Sequence, residues 1–190
     1  MSQEPNKSII GDSQFFVVSS RKIAVMSFFT FGWYWLFCFH RSWVLHRVRS
    51  GERVLPLVRA LFAVIFFYPL LRRIDQKICQ SGRSYKWSPA VLTVFFIIAG
   101  LSPMLVDQGL WLQHYHLAIL IFLTSYLLHV WVIVSVQRAV NFCEGDNHGQ
   151  ANSTFSIANW LWMALGLLVW PTMIFMALIS LLLGFDPAGG

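Results

Sequence analysis

Apolar residues in this chain gather in long unbroken runs, and three of those runs contain no charged side chain. They cover residues 87–106, 108–137 and 147–185, lengths of 20, 30 and 39 residues. A bilayer-crossing helix needs about 20 mostly apolar residues, so each run holds one span. The pattern places these spans at about 89–105, 111–136 and 157–183. Ser88-Pro89 has the chemistry of an N-cap followed by proline at the first helical position, and opens the first of them. A turn at 106–110 makes the second span its antiparallel neighbour. A polar loop over 138–155 precedes the third, which carries Pro171 near its middle.

Two shorter apolar segments lie upstream. Residues 23–39 reach only 17, the lower limit for crossing, with Thr30-Phe31-Gly32 near the centre and Ser19 or Ser20 as the helix cap. Residues 61–71 reach only 11 and contain Pro69, which suits an interfacial or re-entrant segment. From 71 to 81, Leu71, Ile74 and Ile78 recur at helical spacing among Arg72, Arg73, Asp75 and Lys77. That spacing predicts a helix along the membrane surface, stopped by Ser81-Gly82. Between the two short segments the apolar residues of 41–50 do not collect on one face, so this basic stretch is expected at headgroup depth with Trp43 in the interface.

The expected fold is therefore an all-α integral membrane protein with two regions. Residues 1–86 form a basic N-terminal region with short helices at 23–39 and 61–71, either re-entrant, interfacial or short spans. Residues 87–190 form the transmembrane region. Composition agrees, with 57% hydrophobic and 12% charged residues. Residues 1–14 are polar and mixed in charge, unlike a cleaved signal peptide, so the first apolar segment is expected to be retained.

Charge adds orientation. Thirteen of the fourteen Lys and Arg residues lie at or before Lys86, and Arg138 is the other. If both short segments crossed, equally basic loops would face opposite sides. If neither crosses, all fourteen face the cytoplasm, the arrangement favoured by the positive-inside rule. The net charge of +6 then serves topology and contact with anionic headgroups rather than nucleic acid. Arg41, Arg47, Arg49, Arg53, Arg59, Arg72 and Arg73 are the candidate headgroup contacts, with Arg59 alternatively pairing with Asp75 or Glu52.

Phe15-Phe16, Ser19 through Lys22, Met26-Ser27, Thr30 through Tyr34, Trp43, Arg59-Ala60 and Tyr68-Pro69-Leu70 form a recognisable set. With Gln137, Asn141, Asn152, Phe155 and Asn159-Trp160, the chain resembles a widespread bacterial group of integral membrane proteins catalogued as a domain of unknown function. It departs from that pattern at Cys38 and Ser42, where an aromatic residue and Asn are expected. The resemblance implies a bacterial inner-membrane location and brings no activity with it.

Catalytic chemistry is sparse. Cys38, Cys79 and Cys143 are too scattered for a disulfide framework or a zinc site. His114 and His116, near Asp107, lie two apart and so do not share a helix face for a metal. No metal, cofactor or nucleic-acid partner is expected. His129, inside a span, is the candidate intramembrane polar site. Asn141, Asn152 and Asn159 read as capping and loop residues. The expected role is structural, lipid-interacting or accessory, with membrane lipid, a second copy or another membrane protein as partner. The alternative is a subunit of a small oligomeric transporter or channel, with His129, Thr124 and Ser125 along the path. A membrane enzyme ranks third, because no polar catalytic cluster is visible.

Overall fold

The computed structural model describes residues 13–105 and 115–182, and these form helices and connecting loops with no strand among them. The helices are α1 (Ser20–Phe29), α2 (Trp33–Ser50), α3 (Pro56–Leu61), α4 (Ala63–Gln80), α5 (Pro89–Leu101), α6 (Tyr115–Cys143) and α7 (Ile157–Leu182). A short 3-10 turn, Ser102–Leu105, extends α5. The turn at 106–110 and the residues Asp107 and His114 lie outside the described residues.

Helix α6 is the central post, against which α1, α4 and α5 pack, while α7 packs on α1. Its neighbours α5 and α7 run antiparallel to it. Phe95 meets Trp131 and Ser102 meets Ser125, so α5 rises as α6 descends. Of the three expected spans, one among the described residues is both long and apolar enough to cross a membrane, Leu117–Cys143. Pro89–Met104 and Ile157–Thr172 are apolar but shorter. Helix α6 also continues to Cys143, past the expected end at 136, because Gln137, Asn141 and Arg138 occupy helical positions rather than a loop.

The segment 23–39 is not one helix. Thr30, Phe31 and Gly32 reverse the chain, with Phe31 at φ 51° and Gly32 at φ 86°. Both lie in the left-handed region, which glycine enters without penalty and phenylalanine does not. Thr30 joins the two halves: its hydroxyl donates to the Met26 carbonyl and accepts from the Tyr34 N–H. The product is a helical hairpin, α1 down one limb and α2 along the other. Its tip reaches the middle of α6, where Tyr126 donates to the Ser27 and Phe28 carbonyls.

Residues 61–71 and 71–81 are likewise redistributed. The chain breaks at Phe62, and 63–80 forms one helix running straight through Pro69. Leu71, Ile74 and Ile78 do share a face, but it turns inward, each at most 2% exposed, and does not lie on a membrane surface. The reason is the length of the stripe. Ala63, Phe67 and Leu70 continue it upward, giving α4 enough apolar face to dock on α5 and α6. Helix α3 rises beside α2 and leads back into α4, a second, shallower hairpin.

Trp43 is another correction, since it is wholly buried and not interfacial. The inward stripe of α2 is Trp35, Cys38, Phe39, Ser42, Trp43 and His46, a regular three-four spacing. Two of those positions are polar, so hydrophobicity alone hides the face. Mid-bundle, Phe67 stacks on Phe96 at 4.0 Å, and Trp35 and His129 close around Phe96 at 5.1 and 5.2 Å.

Candidate functional site

One end of the bundle gathers the polar chemistry. Residues 14–19 run through it as an extended strap, which makes no helix bonds of its own and so needs partners for each backbone group. Side chains supply several of them. Glu144 accepts from the Gln14 and Phe15 N–H groups. Ser42 accepts from Phe16, and Gln137 donates to the Phe16 carbonyl at 3.0 Å. Asn141 spans Val18, accepting from its N–H and donating to its carbonyl at 2.8 Å. Asn152 donates to the Val17 carbonyl, and its own carbonyl accepts from the Ser19 N–H. Gln137 and Asn141 lie four apart on the last two turns of α6, and Glu144 follows three residues later, just past its end.

The Glu144 carboxylate is 4% exposed and also accepts twice from Lys77 at 2.8 Å. Nearby, Arg83 donates to the Phe142 and Cys143 carbonyls, a cation where the C-terminal end of α6 is negative. Asp146 accepts from the Gln150 and Ala151 N–H groups, which fixes the loop.

A second cluster centres on His46, 4% exposed, stacked against Phe15 with Trp43 edge-on. Arg73 donates from Nε to His46 Nε2 at 3.0 Å and from its terminal nitrogen to Glu52 at 2.8 Å. Arginine only donates, so Nε2 accepts from Arg73. The Gln14 amide nitrogen lies 2.9 Å from Nδ1, the other ring nitrogen. Burial holds the His46 pKa below its ordinary value, and the Arg73 charge lowers it further, against an opposing pull from Glu52. The hydrogen bond from Arg73 also holds the Glu52 carboxyl below its usual range.

A pH dependence follows. The folded state binds a proton at His46 less readily than the unfolded chain, so stability is complete above the ordinary histidine value of 6.5 and declines as pH falls through the lowered one. Glu52 acts in the same direction at lower pH, below its ordinary value of 4.5. Thermal unfolding in mild detergent should therefore occur at lower temperature at acidic than at neutral pH. His46→Gln, which retains a neutral hydrogen-bonding group, should flatten that dependence above the carboxylate range. An equally steep dependence in the variant would remove His46 as its source.

The seven candidate arginines divide by environment. Arg41, Arg47, Arg49, Arg53 and Arg72 are exposed at the polar end, with Arg41 over the Phe16 ring at 5.7 Å. Arg73 is held by His46 and Glu52. Arg59 pairs with neither Asp75 nor Glu52 and instead stacks on Trp43 at 4.0 Å and Phe66 at 5.2 Å. Asp75 accepts from the Trp87 indole, and Glu52 is taken by Arg73. The Trp43 Nε1 and Arg59 Nη1 donors are buried without an acceptor among the described residues.

His129 sits among aromatic rings, and its Nε2 lies 3.6 Å from where a Cβ on Gly32 would stand. Ser125 bonds Ser102 and the Ile121 carbonyl, and Thr124 bonds back to its own helix. The three residues are thus engaged in separate contacts. Among the described residues no group of three His, Cys, Asp or Glu side chains is placed to hold a metal, and the three cysteines are free.

Sequence reasoning missed Lys22. It is 5% exposed, and its ammonium donates to the Asn152 side-chain oxygen at 2.6 Å and the Thr154 carbonyl at 2.7 Å. It lines a cavity of about 650 Å³ between α1, α2 and α7. Its place beside the charged Arg21 made it look like one more flanking cation. The signal available was its helical phase, one turn before buried Met26. Comparison with protein-family models, curated proteins and solved structures gives no match.

Proposed function

We propose that this chain is a multi-pass inner-membrane protein with an accessory, lipid-interacting role. Its basic end faces the cytoplasm against anionic headgroups. Helices α5, α6 and α7 cross the bilayer, and the hairpins α1–α2 and α3–α4 enter from the cytoplasmic side and return. One observation carries this reading, the separation of charge from exposed apolar surface.

All thirteen described Lys and Arg residues fall on the polar end or the limbs leading to it. Outside that end, apolar side chains point outward in helical stripes. They include Val91, Val94, Ile98 and Leu101 on α5, and Leu117, Leu120, Leu127 and Trp131 on α6. On α7 they include Trp160, Leu161, Leu165 and Leu168, and around α3 they include Leu57, Leu61, Phe62 and Ile65. Water-soluble monomers rarely expose contiguous apolar patches beyond a few hundred Å². A bilayer solvates such a belt, and cytoplasmic headgroups attract the arginine-rich end.

Topology tests it. In a Cys79→Ser background, single cysteines at Ser50 and Gln150 should be shielded from an impermeant thiol reagent in spheroplasts and labelled in inverted vesicles. A cysteine at Ala188 should behave in the opposite way. Labelling of Ser50→Cys and Gln150→Cys from different sides would overturn the arrangement.

A further inference from the structure

Lys22 has properties that a structural lysine avoids. It stands in the first turn of α1, where the unpaired N–H groups already make the helix end positive. It is buried, and both acceptors it has found are neutral oxygens. No carboxylate among the described residues contacts it: Glu52 serves Arg73, Glu144 serves Lys77, Asp75 serves Trp87 and Asp146 serves the loop. A buried charge without a counter-charge is costly, and an ammonium has three donors of which two are used.

The cavity beside it has the complementary shape for an amphiphile. Lys22, Met26 and Thr30 succeed one another at four-residue intervals, so one face of α1 lines it for about 12 Å. The polar end holds Lys22, Asn152 and Asn159. The remaining wall includes Trp33, Phe37 and Trp162, all on the outward, bilayer-facing side by exposure. The volume lies within the ordinary range of ligand pockets.

We infer that this cavity binds a membrane amphiphile, with an anionic headgroup on Lys22 at the start of α1 and an acyl chain along Met26 and Thr30 between α2 and α7. The inference rests on the membrane reading above. The headgroup supplies the missing counter-charge, and the chain enters sideways from the bilayer past Trp33 and Trp162. Phosphate and carboxylate heads share this chemistry.

The test uses the full chain in detergent, titrated with phosphatidylglycerol, an oleate-type fatty acid, or phosphatidylcholine of the same chains, and read by native mass spectrometry. Wild type should bind one equivalent of phosphatidylglycerol or fatty acid more tightly than phosphatidylcholine, and the tighter of the two identifies the headgroup. Lys22→Met should weaken that binding about tenfold, the worth of one charge-assisted hydrogen bond. Ala158→Trp fills the cavity from an exposed position without touching Lys22, so it guards against a folding defect in the first variant. It should weaken binding at least as much. Equal binding of phosphatidylcholine, or undiminished anionic binding in Ala158→Trp, overturns the site. With the cysteine labelling pattern intact, that result would fall on the cavity alone and leave the topology standing.

Discussion

Replacing Glu144 with alanine should loosen the strap and lower the stability of the whole polar end by about 3 kcal/mol. The carboxylate is buried and serves three groups at once: the Gln14 N–H, the Phe15 N–H and the Lys77 ammonium. Truncation leaves two backbone donors without acceptors, each costing about 1 kcal/mol or more. The Lys77 side chain is 31% exposed and recovers part of its loss in water, so its share is at most about 1 kcal/mol. Glu144→Gln keeps one acceptor and should cost roughly half as much. The buried thiols Cys38 and Cys143 provide the readout in a Cys79→Ser background. The temperature at which they become reactive should fall in the order wild type, Gln, Ala. An unchanged temperature for Glu144→Ala would show that the strap is held elsewhere.

Gly166→Val should be comparably damaging, for a steric reason. Helix α7 crosses α1 there so closely that a Cβ would collide with the Phe29 backbone carbonyl. Backbone cannot swing aside as a side chain can, so the helices must separate, at about 3 kcal/mol. Contacts just beyond would be lost too, including the stacking of Phe28 on Trp170 at 4.7 Å. Gly100→Ala is the matched control. Nothing lies within 4 Å of its new Cβ, and α5 should gain up to about 1 kcal/mol of helix propensity. The two glycine changes should thus move the thiol-reactivity temperature in opposite directions. Equal effects would refute the close crossing.

These two sites differ in how visible they are from sequence. Glu144 sits 129 residues from Phe15, and no local pattern announces that a helix terminus will hold a strap. Gly166 lies in a uniformly apolar run, where a glycine gives no hint of which neighbour it faces. Ser88-Pro89 and Ser81-Gly82, by contrast, were legible because capping depends on bonds within a few residues. Ser88 accepts from the Val91 N–H, and Gly82 takes φ 69° at the end of α4. Ser19 accepts from the Lys22 N–H in the same way.

The hairpins fall between these cases. Thr30-Phe31-Gly32 stands out near the centre of its segment, but a reversal needs something for both limbs to pack against. Helix α1 packs on α6 and α7, and α2 packs on α3 and α4. The inward face of α2 was illegible because Ser42 and His46 lie on it, and they are polar for reasons that come from Phe16, Gln14 and Arg73. The short run at 61–71 looked interfacial by length, yet 63–80 became one core-facing helix. Its face continues across the basic stretch, which a count of consecutive apolar residues interrupts.

The placement of charge, the all-helical class and the caps of the long helices were determined by the sequence alone. They depend on composition and near neighbours, and the basic-to-apolar division near Lys86 remains the clearest feature of the chain. Tertiary structure decided which apolar helices form the core, that the first segment doubles back, and that Gln137, Asn141 and Glu144 clasp an extended strap. It also decided that Lys22 is buried without a counter-charge among the described residues. Each of these depends on contacts between residues far apart in the chain. There, packing and the need to satisfy buried polar groups outweigh local preference.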